Sequence, residues 1–485
     1  MEKKVIFITI DCLRKDHLKI YQYNKDSAPN IEKIAKEAII FENAIANGSN
    51  TPSSFYSIFS STVPTAEGSY APIPFNKRKL AEVLQKNKIK TCGIHSNPHL
   101  TSFCNYHLGF DYFIDIFENP QFSMRKRLID NVKYIFNRLG LKDYLDRIKA
   151  IIFKFLPLNN KISSFKTEKI NAPYSNAKVI VSEAIKWLHN NYNKSFFLWI
   201  HFMDVHRPYY PPLKFIEEIS NEPISESLKV YLNDLFDNYK KIPNFMEKIN
   251  DSHIKALNIL YDAEIRYVDH YLGILFTYLR RLRIFDSTFI ILTSDHGQAL
   301  FDHNQLSHGV TLYDELLKIP FIIKGDQTFN KKIRIFDQIE LLDFAPTVLD
   351  VFKLPKDNSF HGKSLVDLIM GNESFKQYQY VISAIYFSKD KMFTAYFKDC
   401  KKYSTLISCR SLNWKLIYND ETKENELYNL KNDPKELKNL NKALTDELSF
   451  IKNKLFQEIQ PFIKEYDAEK EIIKNILSKD FYKLL

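Results

Sequence analysis

The 485-residue chain predicts a three-layer α/β fold, in which a central, mostly parallel β-sheet carries helices on both faces and a small antiparallel-sheet subdomain follows. Three observations carry this expectation. Short strands rich in Ile, Val and Phe recur between longer amphipathic stretches, the alternation produced by a parallel sheet with crossover helices. Two of these strands end on polar side chains, one at Asp11 and one at Asp295-His296, and the carboxyl ends of parallel strands line the crevice where ligands bind. Near Trp414 the texture changes to short alternating segments, which suit antiparallel pairs.

In chain order, the first strand is expected over residues 4–10, where Val5-Ile6-Phe7-Ile8-Thr9-Ile10 runs straight into Asp11. Helices follow over 28–38 and 52–60. The second is introduced by Thr51-Pro52, an N-cap hydroxyl before a proline at the first helical position. A helix over 78–86 leads to a strand over 89–94, and an amphipathic stretch over 174–190 leads to a strand over 195–203. A long helix over 254–282 feeds the strand over 287–294; a strand over 319–324 and a helix over 343–352 come next. Trp414–Tyr418 and Glu426–Leu430 read as antiparallel strands. The division expected is a main domain of residues 1–374 and a C-terminal subdomain of residues 375–485 closed by a polar helix.

Residues 118–172 break the alternation. Between Arg125 and Lys154 nine basic residues face three acidic ones, so six of the chain's +10 net charge sits in this insertion. Leu128, Val132, Ile135 and Leu139, then Leu145, Ile148, Ile152 and Phe155, keep helical spacing, giving basic amphipathic helices. Such helices either pack their stripe on the main domain, the simpler reading, or make a peripheral membrane contact through 125–155. The rest of the chain is close to charge balance, and no nucleic-acid partner is expected. Five cysteines without CxxC spacing argue against a disulfide framework and for a reducing compartment. The short apolar start does not resemble a signal peptide, and no run approaches a membrane span of about 18 residues. A cytoplasmic protein is expected.

Asp11, Asp295 and His296 offer hard and borderline ligands for a divalent cation, with Mn, Mg, Ca and Zn all open. Cys12 is a soft donor that reads better as packing. Thr51 lies at a helix N-terminus, where free N–H groups attract anions, and its hydroxyl beside a cation could become a nucleophile. Ser53 and Ser54 are rivals for that role. His206 follows the third buried strand, and His303 and His308 follow Asp295-His296 closely. These imidazoles could bind an anionic ester or protonate a leaving group.

Together these residues resemble the sulfatase branch of the alkaline phosphatase superfamily. The resemblance covers residues 4 to about 115 and 175 to about 440. It rests on Ile8-Thr9-Ile10-Asp11-Cys12-Leu13-Arg14 with Ala28-Pro29-Asn30-Ile31 after it, on Thr51-Pro52-Ser53-Ser54, on Asp204-Val205-His206-Arg207-Pro208 and on Asp295-His296-Gly297. His308-Gly309, Asp343-Phe344-Ala345-Pro346-Thr347, His361-Gly362-Lys363-Ser364 and Glu426-Leu427-Tyr428-Asn429-Leu430 continue the same order. The resemblance implies an alkaline phosphatase-like fold and one tightly bound divalent cation on Asp11, Asp295, His296 and the Thr51 oxygen. It also implies an anionic ester, on a glycan or a lipid headgroup, held by Arg14, His206 and His308, with the histidines as general acids.

Three departures set the expected chemistry. Typical members carry a second Asp where Cys12 stands, a Cys or Ser converted to an aldehyde hydrate where Thr51 stands, and an Arg where Ser54 stands. Taking Thr51 rather than Asn50 as the nucleophile shifts the proline by one position. A threonine cannot become the aldehyde. It resembles instead the nucleophile of phosphodiesterase, phosphoethanolamine transferase and phosphoglycerol transferase relatives, which pass through a phospho-threonine. The expectation is therefore hydrolysis or transfer of a phosphoester. The alternatives are a true sulfuric ester hydrolase and a catalytically silent protein that binds lipid or glycan surfaces.

Overall fold

The computed structural model describes residues 2–64, 72–116, 176–238, 245–326, 329, 331–372, 378–386 and 405–480, with the side chains of 466 and 468–480 excepted. The basic segment 118–172, and with it the expected membrane contact through 125–155, lies outside the described residues.

Ten strands belong to the main body: β1 (Lys4–Ile10), β2 (Ile39–Ile45), β3 (Lys90–His95), β4 (Tyr112–Asp115), β5 (Phe196–Phe202), β6 (Thr288–Thr293), β7 (Ala299–Leu300), β8 (Leu306–Ser307), β9 (Lys318–Lys324) and β10 (Ile333–Glu340). β7 and β8 form a small ribbon, and the other eight make one sheet in the order β10-β2-β9-β6-β1-β5-β3-β4. Only β9 runs antiparallel to its neighbours. A parallel return needs a crossover of a dozen or more residues, usually helical. Between β6 and β9 the chain instead spends its residues on the β7–β8 ribbon and a four-residue helix, Asp314–Leu317, so it comes back reversed.

The sheet alternates its apolar side chains between two cores, as the pleat requires. Among the described residues the helices that cover it include α1 (Pro29–Ala35), α2 (Thr51–Ser60), α3 (Leu80–Lys86), α4 (Ala177–Asn191), α5 (Asp251–Arg281) and α6 (Phe344–Val351). Ile6, Ile8 and Ile10 of β1 share one core with α1, α4 and α5. Val5 and Phe7 share the other with α2, α3 and α6. Asp269 of α5 accepts from the backbone N–H groups of Asn30 and Ile31, at 2.9 and 2.8 Å, and so anchors the start of α1.

β2, β4 and β10 were not expected, nor were the helices Leu213–Ile219 and Glu226–Asn238. The strands escaped because their alternation is broken. β4 and β10 are sheet edges, which carry polar and exposed residues such as Phe336, and β2 has register shifts against both neighbours.

The C-terminal sheet is antiparallel, in the order β11 (Val381–Ile385), β12 (Leu406–Arg410), β13 (Trp414–Asn419) and β14 (Asn425–Asn429). One face packs on α7 (Asp446–Asp480) through Leu455 and Ile459. The other lends Val381, Ile385, Ile417 and Tyr428 to the main core. Among the described residues no helix is long and apolar enough to cross a membrane.

Phe7 is fully buried and stacks on Phe344 with ring centroids 3.8 Å apart, joining β1 to α6. Phe7→Ala is expected to cost about 3–5 kcal/mol in chemical denaturation; an unchanged midpoint would contradict this packing.

Candidate active site

The sheet order brings the functional strand tips together. β1 lies between β5 and β6 in parallel register, with Thr9 opposite both His201 and Thr293. Asp11 therefore projects beside the end of β6, where Asp295 and His296 follow. The Asp11 N–H extends the ladder to Phe202 O at 2.9 Å. Ser294 Oγ accepts from Leu13 N at 3.0 Å and donates to Ile10 O at 2.8 Å, tying the two tips. Tyr261 of α5 braces the turn, donating its hydroxyl to Cys12 O at 2.6 Å and accepting from Arg14 N at 2.8 Å.

Asp11, Asp295 and His296 are all fully buried. Among the described residues the ion-pair partners of the two carboxylates are imidazoles, with His201 Nε2 3.4 Å from Asp11 and His296 Nε2 3.5 Å from Asp295 Oδ2. Burial raises the pKa of Asp11, but the His201 hydrogen bond and the His206 and His296 charges outweigh it and hold the carboxyl well below its usual range. Asp295 moves the other way, raised by burial and by the Asp11 charge. Asp295 Oδ2 is buried with no hydrogen-bond partner. Two carboxylates in such a place are costly unless a cation joins them.

The donor set fits a divalent cation. His296 Nδ1 donates to Gly297 O at 2.8 Å, which leaves the Nε2 lone pair facing inward, as in metal-bound imidazoles. That Nε2 lies 3.9 Å from Asp11 Oδ1, 3.5 Å from Asp295 Oδ2 and 3.4 Å from Thr51 Oγ1. Metal–ligand bonds of about 2.1 Å in a tetrahedral array give ligand spacings of about 3.4 Å. Donor atoms of Asp11, Cys12 and His296 lie within 4.8 Å of one another, and so do those of Cys12, His206 and His308.

Thr51 differs from its expected role as helix cap. The cap is Asn50, whose side chain accepts from Ser53 N at 2.9 Å, and Thr51 is the first helical residue. Its hydroxyl is thereby released, and it points at Asp11 Oδ2, 3.3 Å away. The rival hydroxyl of Ser54 donates to Gly48 O at 2.9 Å instead.

His206 and His308 face each other with ring centroids 5.1 Å apart, and His308 lies 4.5 Å from His296. Nδ1 of His206 donates to Arg207 O at 2.6 Å, and Nδ1 of His308 to Gln298 Oε1 at 2.7 Å. Burial lowers the His206 pKa to about 4 and, with the His296 and His206 charges, holds His308 well below the usual imidazole range. Arg14, expected at the substrate, is placed otherwise. Its guanidinium pairs with Asp16 and Asp302 and donates to Gln298 O at 3.0 Å, so its charge is spent within the protein.

The hairpin that carries His308 is strained, with Phe301, His303, Asn304 and Ser307 all at positive φ. It is held from two sides. Arg14 grips Asp302, and His303 bridges Glu315 Oε1 at 2.8 Å and Glu436 O at 3.1 Å while stacking on Tyr313. Glu436 and the strands behind it belong to the C-terminal region. Its Oε2 accepts from Asp314 N at 2.6 Å, and Lys415 bridges Asp314 and Glu436, each at 2.8 Å.

Asn97 and His201 were not foreseen. Asn97 Nδ2 donates to Asp11 Oδ2 at 3.0 Å, and His201 sits between Thr9 and Asp11. The strand-end rule that found Asp11 also reaches Asn97, which follows β3. His201 lies within an apolar strand, where nothing marks it off.

A family model for sulfatases matches residues 3–354, and one described as the C-terminal part of N-sulphoglucosamine sulphohydrolase matches residues 303–465. An arylsulfatase of Clostridium perfringens is 24% identical over 494 aligned residues, covering 98% of both chains. Arylsulfatase K of Bos taurus is 26% identical over 257 residues, covering 52% of this chain and 45% of that relative, about half of its length. A protein solved with its substrate D-glucosamine-2-N,6-O-disulfate superposes with a TM-score of 0.67 at 18% identity, covering 96% of this chain and 99% of that chain. The phosphonate monoester hydrolase of Agrobacterium radiobacter gives a TM-score of 0.68 at 18% identity, covering 96% of each. At such identity the structural likeness speaks to the fold alone.

The hairpin clamp makes a pH-dependent contribution to stability. Burial works against a charged His303, but the Glu315 hydrogen bond and charge, then Glu436, raise its pKa from 6.5 to about 9. A raised folded-state pKa means stabilisation that is full below the unfolded value and lost as pH rises through about 9. Thermal midpoints of wild type and His303→Gln should therefore differ most near pH 6 and converge above about pH 9.5. A constant difference across that range would refute the charged clamp.

Proposed function

The chain belongs to the sulfatase family of ester hydrolases, and from that premise we propose that it is a metal-dependent hydrolase or transferase acting on a phosphoester through Thr51. The observation that carries this reading is the Thr51 hydroxyl, freed from capping by Asn50 and aimed at Asp11 Oδ2 from 3.3 Å. Asp11, Asp295 and His296, with the Thr51 oxygen, would hold the cation. When bound, it would lower the hydroxyl pKa and neutralise anionic ester oxygens.

The chain's own groups then divide the work. Thr51 Oγ1 attacks phosphorus, forming one P–O bond as the bond to the leaving oxygen breaks. Its proton has an acceptor at Asp11 Oδ2, 3.3 Å away. His206 and His308 flank the place of attack. Both are neutral while buried alone, and an anionic ester beside them favours the protonated form, which can bind the anion and protonate the leaving oxygen. The positive end of α2 adds to anion binding. The phospho-threonine is opened by water or by an acceptor hydroxyl.

A phosphoester is preferred because this second step cleaves P–O, whereas a sulfated threonine without the aldehyde hydrate has no comparably easy exit. The relatives named arylsulfatases favour a second reading, hydrolysis of a sulfate ester at the same Thr51. The structural neighbour bound to a disulfated glucosamine supports an ester carried on a sugar.

Thr51→Ala is expected to lower turnover by at least about a thousandfold while metal content stays near wild type. Wild type and variant should be assayed on matched aryl sulfate, phosphate monoester and phosphodiester. Full activity in Thr51→Ala would sink the nucleophile assignment, and turnover of the sulfate alone would replace the phosphoester with the second reading. A wild type that holds no divalent ion and turns over none of the three would favour a silent binding protein.

A further inference from the structure

Cys12 does not sit where a packing cysteine would. It follows Asp11 at the tip of β1 with φ 61°, a conformation rarely adopted by residues with a Cβ. That turn is held from both sides, by Cys12 N donating to Asp295 Oδ1 at 3.4 Å and by Tyr261 donating to Cys12 O at 2.6 Å. The result is a fully buried thiol among polar atoms, with Sγ 3.0 Å from Asp11 Oδ1 and 3.4 Å from His308 Nδ1. Sγ also lies within 4.8 Å of the donor atoms of both Asp11 and His296.

We propose that Cys12 is a thiolate ligand of the cation held by Asp11, Asp295 and His296, and that it makes the site one for Zn2+ rather than for Ca2+ or Mg2+. The inference rests on the reading that this site binds a divalent cation, and it adds the metal's identity. Thiolate sulfur suits Zn2+, whereas Ca2+ and Mg2+ take oxygen ligands. On binding, the S–H bond breaks, a Zn–S bond forms, and the proton leaves to solvent; no electron is transferred. The thiol also neighbours His206 and His308, but Sγ is 3.4 Å from His308 Nδ1 and closer, at 3.0 Å, to Asp11 Oδ1. On the other side Asp295 Oδ2 is buried without a hydrogen-bond partner among the described residues, and the His296 lone pair points inward. The sulfur therefore turns toward the carboxylates.

The test uses the full-length protein, stripped with chelator and reloaded with ZnCl2, CaCl2 or CoCl2. Wild type should bind Zn2+ more tightly than Ca2+, and its zinc absorption spectrum should show a sulfur neighbour at about 2.3 Å. The cobalt form should show a thiolate charge-transfer band. Cys12→Ser should lose the sulfur neighbour and the band and weaken Zn2+ binding on the order of a hundredfold, the upper end of what losing a mere supporting partner costs. Cys12→Asp, which supplies an oxygen ligand, should shift preference toward Ca2+. Circular dichroism and denaturation of both variants separate loss of a ligand from loss of the fold. A folded Cys12→Ser with unchanged zinc affinity, or a wild-type zinc spectrum with only nitrogen and oxygen neighbours, would overturn the proposal while leaving the metal-dependent reading intact. A wild type that binds none of the three ions, nor Mg2+ or Mn2+, would overturn both.

Discussion

Two carboxylates buried side by side, with imidazoles as their ion-pair partners, are the constraint around which the molecule is organised. Asp11 and Asp295 end neighbouring parallel strands in register, so the sheet order itself presses them together. Burying an ion costs several kcal/mol even after relaxation. Asn97, the Thr51 hydroxyl and the Cys12 thiol each approach Asp11 with a neutral dipole. Dipoles reduce the cost but cancel no charge, and Asp295 Oδ2 receives none of them. The fold thus stores an electrostatic deficit at the strand tips that a divalent cation would fill.

Two local arrangements turn that deficit toward chemistry. At the start of α2, Asn50 takes the capping role and leaves Thr51 with an uncommitted hydroxyl facing Asp11. A side chain of similar polarity one residue earlier decides whether Thr51 stabilises a helix or can attack an ester. Across the site, His308 is carried on a hairpin whose left-handed residues would relax if unsupported. Support comes from Arg14 on one side and from His303, Glu315 and Glu436 on the other. The C-terminal sheet reaches the site through the same contacts, since Arg410 and Lys415 both pair with Asp314 at the base of that hairpin. Its apolar residues also enter the main core, so the two regions are one packed body.

Most of the sheet was legible because buried strands leave unbroken apolar runs, and β1, β5, β6 and β9 are such runs. The strands that went unread have polar or exposed positions, since an edge or an irregular register needs no continuous apolar pattern. At the site, the proximity of Asp11, Thr51, Asp295 and His296 could be inferred because each lies at a strand end or helix start, places with fixed positions in an α/β sheet, whereas His206 and His308 lie in loops that follow such ends in sequence. Arg14 shows the limit of that logic: the segment is right, but its charge is claimed by Asp16 and by Asp302, which lies far away in sequence. Cys12 shows another. Its residue type suggests packing, and only the backbone turn at positive φ sends its sulfur among the carboxylates.

Charge balance also bears on the kind of ester the site can accept. The Arg expected at Ser54 is replaced by a hydroxyl that donates to Gly48 O, so no guanidinium reaches the substrate from α2. Arg207 supplies a fixed positive charge felt by Cys12, His206 and His308. A divalent cation would offset the two carboxylates, and the charge of an anionic ester would then fall beside the neutral His206 and His308. A phosphate monoester, mostly dianionic at neutral pH because its second pKa is about 6, asks for more positive charge than a monoanionic sulfate monoester or phosphodiester. A thiolate at Cys12 would add a negative charge, so that even a monoanion would call for a proton on His206 or His308. The same proton is the one a leaving oxygen requires. In this arrangement anion binding and general-acid readiness would be a single event, with imidazoles kept neutral by burial standing in for the guanidinium absent from α2.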